Sequence, residues 1–175
     1  MRTVSPLTAS LVGAVADELS YAMDRAVEKA TGMRGEASAA LTALLNTPGL
    51  SVKELARFLG MASPSAVELI TRLESRGLVI RREGPDARTR SLALTASGRR
   101  AAAGVLRARD GVLQRRLGQL SARQRTHLRD VAVSLLSTAH QHDVDLDHLC
   151  RRCDESQCTD LVCPIGHSPR QQPVG

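Results

Sequence analysis

Apolar residues recur at helical spacing along most of the chain, in segments separated by glycine, proline and asparagine. An apolar face from Leu11 to Ala26 predicts a helix over about residues 8–31. A second apolar run predicts a helix over about residues 35–46. Pro48 and Gly49 then end it, because proline lacks an amide proton and glycine tolerates a positive φ.

Two short helices joined by a tight turn are predicted next. Ser51 and Glu54 have the spacing of a capping box, which indicates a helix that begins there, runs to Leu59 and ends at Gly60. Ser63 is expected to cap the following helix, with Pro64 at its first position. Such a pair is typical of a helix-turn-helix.

In the second of these helices, the sequence is interpreted as burying one face and presenting the other to solvent. The buried face is assigned to Val67, Ile70 and Leu73, and Gly77 is expected to end the helix. The residues expected off that face are Ser63, Ser65, Ala66, Glu68, Leu69 and Arg72. If this helix lies in the major groove of DNA, these residues face the base edges.

Two short runs, 78–82 and 91–95, flank the turn Gly84-Pro85-Asp86 and predict a β-hairpin. Thr95 is expected to cap a long helix over about 96–117. Ser121 and Gln124 form another capping box, which predicts a last helix over about 122–141. The predicted fold is therefore mainly α with a small β-hairpin wing.

The charge of the chain points to a polyanion as its partner. Its 175 residues carry a net charge of +6, and the cations are almost all arginine, whose planar fork suits phosphate. Between Arg72 and Arg129 there are fifteen arginines and only four acids. We therefore expect double-stranded DNA to bind this stretch.

Several short motifs in the region 50–98 resemble the MarR family of winged helix-turn-helix transcription regulators. They are ELA-x-x-LG, S-P-S-A-V, RLE-x-RGLV, a D-x-R in the hairpin, and LT-x-x-G after it. In that family the acidic residue of the hairpin orients an arginine that reaches the minor groove, and Asp86 and Arg88 stand at those positions. Arg90 is added as a further DNA contact. Leu69 departs from the family, whose recognition helices often carry a polar or basic residue there.

The resemblance also implies a homodimer formed by the terminal helices, and hence a pseudo-palindromic operator. Amphipathic helices at both ends of the chain agree with this expectation. The resulting organisation is 1–46 for the N-terminal dimerisation helices, 47–98 for the DNA-binding core, 99–142 for the C-terminal dimerisation helices, 143–167 for a cysteine tail and 168–175 for a disordered end.

All four cysteines lie within that tail, at Cys150, Cys153, Cys158 and Cys163. Four clustered thiols can converge on one metal, so the spacing favours a four-thiolate zinc site. Only one Cys-x2-Cys step is present, and the run ends in Cys-Pro, so an iron–sulfur cluster is an alternative. A thiol switch that forms disulfides is a third.

The sequence shows no phosphate loop, no nucleophile elbow and no thioredoxin-like setting for the Cys-x2-Cys step, so an enzyme is not expected. No segment resembles a signal peptide or a membrane span, which favours the cytoplasm. The predicted function is a sequence-specific, dimeric repressor that a small-molecule effector, a metal or redox state controls. The alternative is a metal- or thiol-based sensor whose cysteine tail is the main switch.

Overall fold

The computed structural model describes residues 4–83, 90–138 and 146–157, and in these ranges the chain is mainly helical with one β-hairpin. The elements are α1 (Pro6–Thr31), α2 (Glu36–Asn46), α3 (Val52–Leu59), α4 (Ser63–Ser75), β1 (Val79–Glu83), β2 (Arg90–Leu94), α5 (Ala96–Leu117), α6 (Ala122–Ser137) and α7 (Leu146–Cys150). A 3-10 turn follows at Glu155–Gln157. The predicted fold class, a winged helix-turn-helix with helices at both ends, is confirmed.

The predicted capping residues start their helices. The Ser51 backbone amide donates to Glu54 Oε2 at 2.8 Å, and the Glu54 amide donates to Ser51 Oγ at 3.2 Å. Ser121 and Gln124 form the same reciprocal pair, and the Gly98 amide donates to Thr95 Oγ1 at 2.9 Å. Side chains thus satisfy amides that the first helical turn leaves without backbone partners.

The start of α4 differs from the prediction. Ala62, in an extended conformation, is the N-cap, and no side chain caps the helix. Ser63 is already helical, so it does not act as the capping residue. Pro64 still lies in the first turn, where its missing amide proton costs no hydrogen bond.

The hairpin is antiparallel, with Val79 opposite Leu94 and Glu83 opposite Arg90. Each strand lies one residue from its predicted bounds: β1 later and β2 earlier. The far edge of β2 is also occupied, because the Leu92 amide donates to the Leu50 carbonyl at 2.8 Å. The hairpin is therefore joined by hydrogen bonds to the segment that leads into α3.

The core lies between α2, the helix-turn-helix and the hairpin. Its largest fully buried side chains include Leu41 of α2, Leu55 of α3, Ile70 and Leu73 of α4, and Leu92 of β2. Burying such aliphatic side chains stabilises the fold by roughly 1.5–3 kcal/mol each. This packing fixes α4 relative to the hairpin.

The terminal helices bury very little. Val27 is the one buried residue of α1, and α6 has none. Leu11 and Val15 on α1, and Val131 and Leu135 on α6, are all more than half exposed. No helix of the described ranges combines the length and apolarity that a membrane crossing requires.

The tail contains an element that the sequence analysis did not predict. Helix α7 packs against α3, and the chain continues through a turn in which the Cys153 amide donates to the Cys150 carbonyl at 2.9 Å. The end of the predicted last helix, 139–141, lies outside the described residues, and so do Cys158, Cys163 and the segment 168–175.

Candidate nucleic-acid interface

Helix α4 presents a polar face to solvent. Ser63, Ser65, Glu68 and Arg72 are exposed along this helix, as predicted. Because Arg72 is exposed, its guanidinium is accessible to a phosphate or to a guanine edge.

The predicted burial of α4 is wrong at three positions. Ala66 and Leu69 are 0% and 3% exposed, whereas Val67, which was assigned to the core, is 46% exposed. The apolar residues that face the core are Ala66, Leu69, Ile70 and Leu73. These follow the i, i+3, i+4, i+7 spacing of a helical face, and Val67 lies off that face. Ala66 and Leu69 therefore pack in the core and are removed from the candidate contacts.

The same correction adds residues to the outer face of α4. Val67 and Thr71 are exposed beside Glu68 and Arg72. A methyl-bearing side chain can contact a thymine methyl group, and a threonine hydroxyl can bond to either kind of base. The spacing of Ala66, Leu69, Ile70 and Leu73 could have revealed this face from the sequence.

Two contacts hold the hairpin against the helices on either side of it. Arg81 Nη2 of β1 lies 3.3 Å from Glu74 Oε2 of α4. On the other side, a Cβ added to Gly98 of α5 would lie 1.9 Å from the Leu78 carbonyl oxygen, a separation that only glycine permits. Gly98 is the glycine of the LT-x-x-G motif, so this motif serves the close approach of α5 to the hairpin.

The predicted wing residues divide into two groups. Arg90 begins β2 opposite Glu83 and is exposed at the outer end of the hairpin. Asp86 and Arg88 lie outside the described residues. Arg82 of β1 is also exposed and stands opposite Ser91 in the register, so the described part of the hairpin carries basic residues on both strands.

Of the four predicted metal ligands, Cys150 and Cys153 are described, the first half-buried and the second exposed. Among the described residues, no group of three or more histidine, cysteine or acidic side chains converges as a metal site would. The other two predicted ligands, Cys158 and Cys163, fall outside those ranges.

Arginines lie close to one of the two described cysteines, Cys153. Burial lowers the pKa of Arg109 on α5, and Arg152 lowers it further, while Asp24 and Cys153 act in the opposite direction. Burial also lowers the pKa of Arg151, again with Arg152 adding to the effect. Arg109 and Arg151 both interact with Cys153, so positive charge lies close to this residue.

The family comparison matches residues 31–89 to the MarR family. Several solved structures share the fold. MepR, a transcription regulator of a Staphylococcus aureus multidrug efflux pump, is 23% identical with a TM-score of 0.66, over 74% of this chain and 96% of that one. A MepR mutant bound to an oligodeoxyribonucleotide is 22% identical with a TM-score of 0.59, over 75% and 96%.

A MarR family protein from Mycobacterium tuberculosis is 26% identical with a TM-score of 0.61, over 75% of this chain and 94% of that one. No curated protein matches the chain. The family match over residues 31–89 and the fold shared with these neighbours agree, so this part of the chain is similar to the winged helix-turn-helix of the MarR family. They support the class of DNA-binding transcription regulators.

Proposed function

We propose that this protein is a sequence-specific, dimeric repressor that reads duplex DNA with α4. The observation that carries the proposal is the exposed polar face of α4, on a helix fixed by a buried apolar face and followed directly by a basic hairpin. In a helix-turn-helix, the second helix enters the major groove with its N-terminal residues toward the bases. Ser63, Ser65 and Glu68 occupy that end.

We assign the recognition of the DNA sequence to α4, and the positioning of the protein on the DNA backbone to the hairpin. Ser65, Glu68 and Arg72 are the proposed base or phosphate contacts, with Val67 and Thr71 beside them. Arg90, together with Asp86 and Arg88, is proposed to contact the backbone or the minor groove, where a narrow groove concentrates negative potential.

The exposed apolar faces of α1 and α6 support a homodimer. Leu7, Leu11 and Val15 follow one another at intervals of four residues on α1, and each is more than half exposed. On α6, Leu128, Val131 and Leu135 follow one another at intervals of three and four residues, and all three are exposed. A two-fold dimer buries equivalent faces of both copies and places the two α4 helices about one turn of DNA apart.

Selection of duplexes from a random pool, followed by footprinting, tests the DNA-binding proposal. We expect an enriched pseudo-palindrome whose half-sites lie about 10 base pairs apart, centre to centre. Protection should cover the major groove of both half-sites. A pool that shows no enrichment after repeated rounds, or an enriched sequence without two-fold symmetry, would contradict the proposal.

A metal-responsive tail is the second candidate function, and the positions of Arg109 and Arg151 near Cys153 favour it. A four-thiolate zinc centre carries a net charge of −2, which these cations would offset. The proposed ligands are Cys150, Cys153, Cys158 and Cys163, with an iron–sulfur cluster on the same residues as the alternative. In the alternative without a metal, a small-molecule effector would control DNA binding.

Elemental analysis and a visible spectrum of anaerobically purified protein distinguish these possibilities. One zinc per chain without colour supports the zinc site, and iron with sulfide and a brown colour supports the cluster. Protein without metal would contradict both and leave the thiols themselves as the redox switch.

A further inference from the structure

The tail segment 146–157 is held against α3, the turn that follows it and the end of α2 by three contacts. Asp147 Oδ2 lies 3.2 Å from Arg57 Nη2, in the last turn of α3. The ring of His148 packs on Gly60, so closely that a Cβ there would lie 2.9 Å from its Nδ1. Asn46 Nδ2 donates to the Cys153 carbonyl at 2.9 Å.

The same segment also reaches the N-terminal helices. Arg152 Nη1 lies 3.5 Å from Asp24 Oδ1 on α1, and Arg152 Nη2 lies 3.7 Å from Glu36 Oε1 at the start of α2. The segment therefore bridges α1 and α3. We call 146–157 the strap.

The contact with Arg57 matters most for DNA. Arg57 stands on the exposed side of α3, three residues before the turn that leads into α4. The first helix of a helix-turn-helix crosses the DNA backbone. The Arg57 side chain is 58% exposed, whereas that of Asp147 is only 13% exposed. A largely desolvated carboxylate thus occupies an arginine edge that also suits a phosphate oxygen.

The strap is docked with unsatisfied polar groups. Among the described residues, the buried side-chain atoms without a hydrogen-bond partner are Glu36 Oε2, His148 Nδ1, Arg151 Nε and Arg152 Nε. All four lie in the strap or on its contact surface. Arg151 Nε and Glu36 Oε2 face each other as an ion pair at 4.0 Å, beyond hydrogen-bond distance. None of residues 147–157 is fully buried, so the strap can open without unfolding the core.

We propose that the strap is an autoinhibitory element in which Asp147 competes with DNA phosphate for Arg57. Release of the strap frees one cation on each α3 and strengthens DNA binding. This inference rests on the proposed DNA-binding function. Cys150 follows the His148 anchor by two residues, and Cys153 itself supplies the carbonyl that Asn46 binds, so a chemical change at either sulfur acts directly on the docked segment.

The test compares Asp147→Asn with wild type in binding to a random-sequence duplex of about 30 base pairs, long enough for both half-sites. Non-specific binding depends on phosphate contacts, so no operator is needed. We expect Asp147→Asn to tighten binding about threefold or more at about 50 mM salt, and to steepen the dependence of log Kd on log salt by about 0.9 for each Arg57 released.

Two variants make this result specific. Asp130→Asn on α6 changes the net charge equally and should leave the affinity near that of wild type. In an Arg57→Gln background, Asp147→Asn should give no gain, because the cation that it frees is absent. Equal effects of Asp147→Asn and Asp130→Asn, or an undiminished gain without Arg57, would overturn the proposal.

Tryptic cleavage after Arg151 and Arg152, followed by mass spectrometry, reports strap docking without DNA. These side chains are 20% exposed when docked, so we expect faster cleavage in Asp147→Asn than in Asp130→Asn. Unchanged cleavage would refute the anchoring role of Asp147. If cleavage accelerates but no variant binds DNA, the proposed function and the role of Arg57 fail, and only the docking contact stands.

Discussion

Gly98 is the position at which one added methyl group should disturb the winged helix most. Its Cβ would lie 1.9 Å from the Leu78 carbonyl oxygen and 2.9 Å from the Leu78 carbonyl carbon, both backbone atoms. No side-chain rotation can relieve that contact. In Gly98→Ala, α5 must therefore move away from the hairpin, a backbone shift of the kind that overpacking forces.

The expected cost follows from three contributions. Overpacking costs roughly 1–3 kcal/mol, and an immovable backbone neighbour places this site at the upper end. The shift also strains the 3.0 Å hydrogen bond from the Thr95 amide to the Leu78 carbonyl, which is worth about 1 kcal/mol. Alanine regains about 1 kcal/mol of helix propensity. The sum is a loss of about 3 kcal/mol.

Thermal unfolding followed by circular dichroism measures this loss. For a chain of this size, about 3 kcal/mol corresponds to a fall in Tm of roughly 6–12 °C. Gly111→Ala on the same helix is the control, because its Cβ would meet only the flexible end of Arg115 at 3.4 Å. The control should melt at or slightly above the wild-type temperature. If Gly98→Ala melts with the control, the close approach of α5 to the hairpin is refuted.

Three further predictions concern the cap of α3, the turn of the helix-turn-helix and the dimer. Ser51→Ala should lower the free energy of unfolding by about 1 kcal/mol through loss of the cap, and an unchanged denaturant midpoint would contradict this. Gly60→Ala should lower the free energy of unfolding by about 1–2 kcal/mol, because the φ of Gly60 is +64° and His148 blocks the added Cβ. Adding His148→Ala removes the ring and should recover part of this loss. No recovery would show that the ring does not clash with the added Cβ. Leu135→Glu on α6 should yield monomers in light scattering, whereas Thr126→Glu should not; a dimer that survives Leu135→Glu excludes this face.

The elements that the sequence predicts best are those fixed by local chemistry. The capping boxes at Ser51 and Ser121, the cap at Thr95 and the left-handed Gly60 depend on residues within one turn of each other. Their side chains satisfy backbone groups whatever the rest of the chain does. The polar residues Ser65, Glu68 and Arg72 were placed correctly for a similar reason, since burying them without partners is unfavourable.

Predictions that depend on packing were less secure. Ala66, Val67 and Leu69 are all apolar. The i, i+3, i+4, i+7 spacing favours Ala66 and Leu69, and the packing of α4 on α3 and β1 buries these two and not Val67. The docking of α7 on α3 could not be read from sequence, because Arg57 and Asp147 are separated by ninety residues. No local pattern marks such a pair.

DNA affinity measured against salt for wild type and Arg72→Ala tests most directly whether α4 reads DNA. On the selected duplex, we predict binding that weakens steeply with salt, and a loss of about 1–3 kcal/mol in affinity on removal of Arg72. Arg123→Ala on α6, which removes the same charge far from α4 in sequence, should cost much less. If wild type does not bind the duplex at about 50 mM salt, or if Arg72→Ala and Arg123→Ala bind equally well, α4 is not the reading helix.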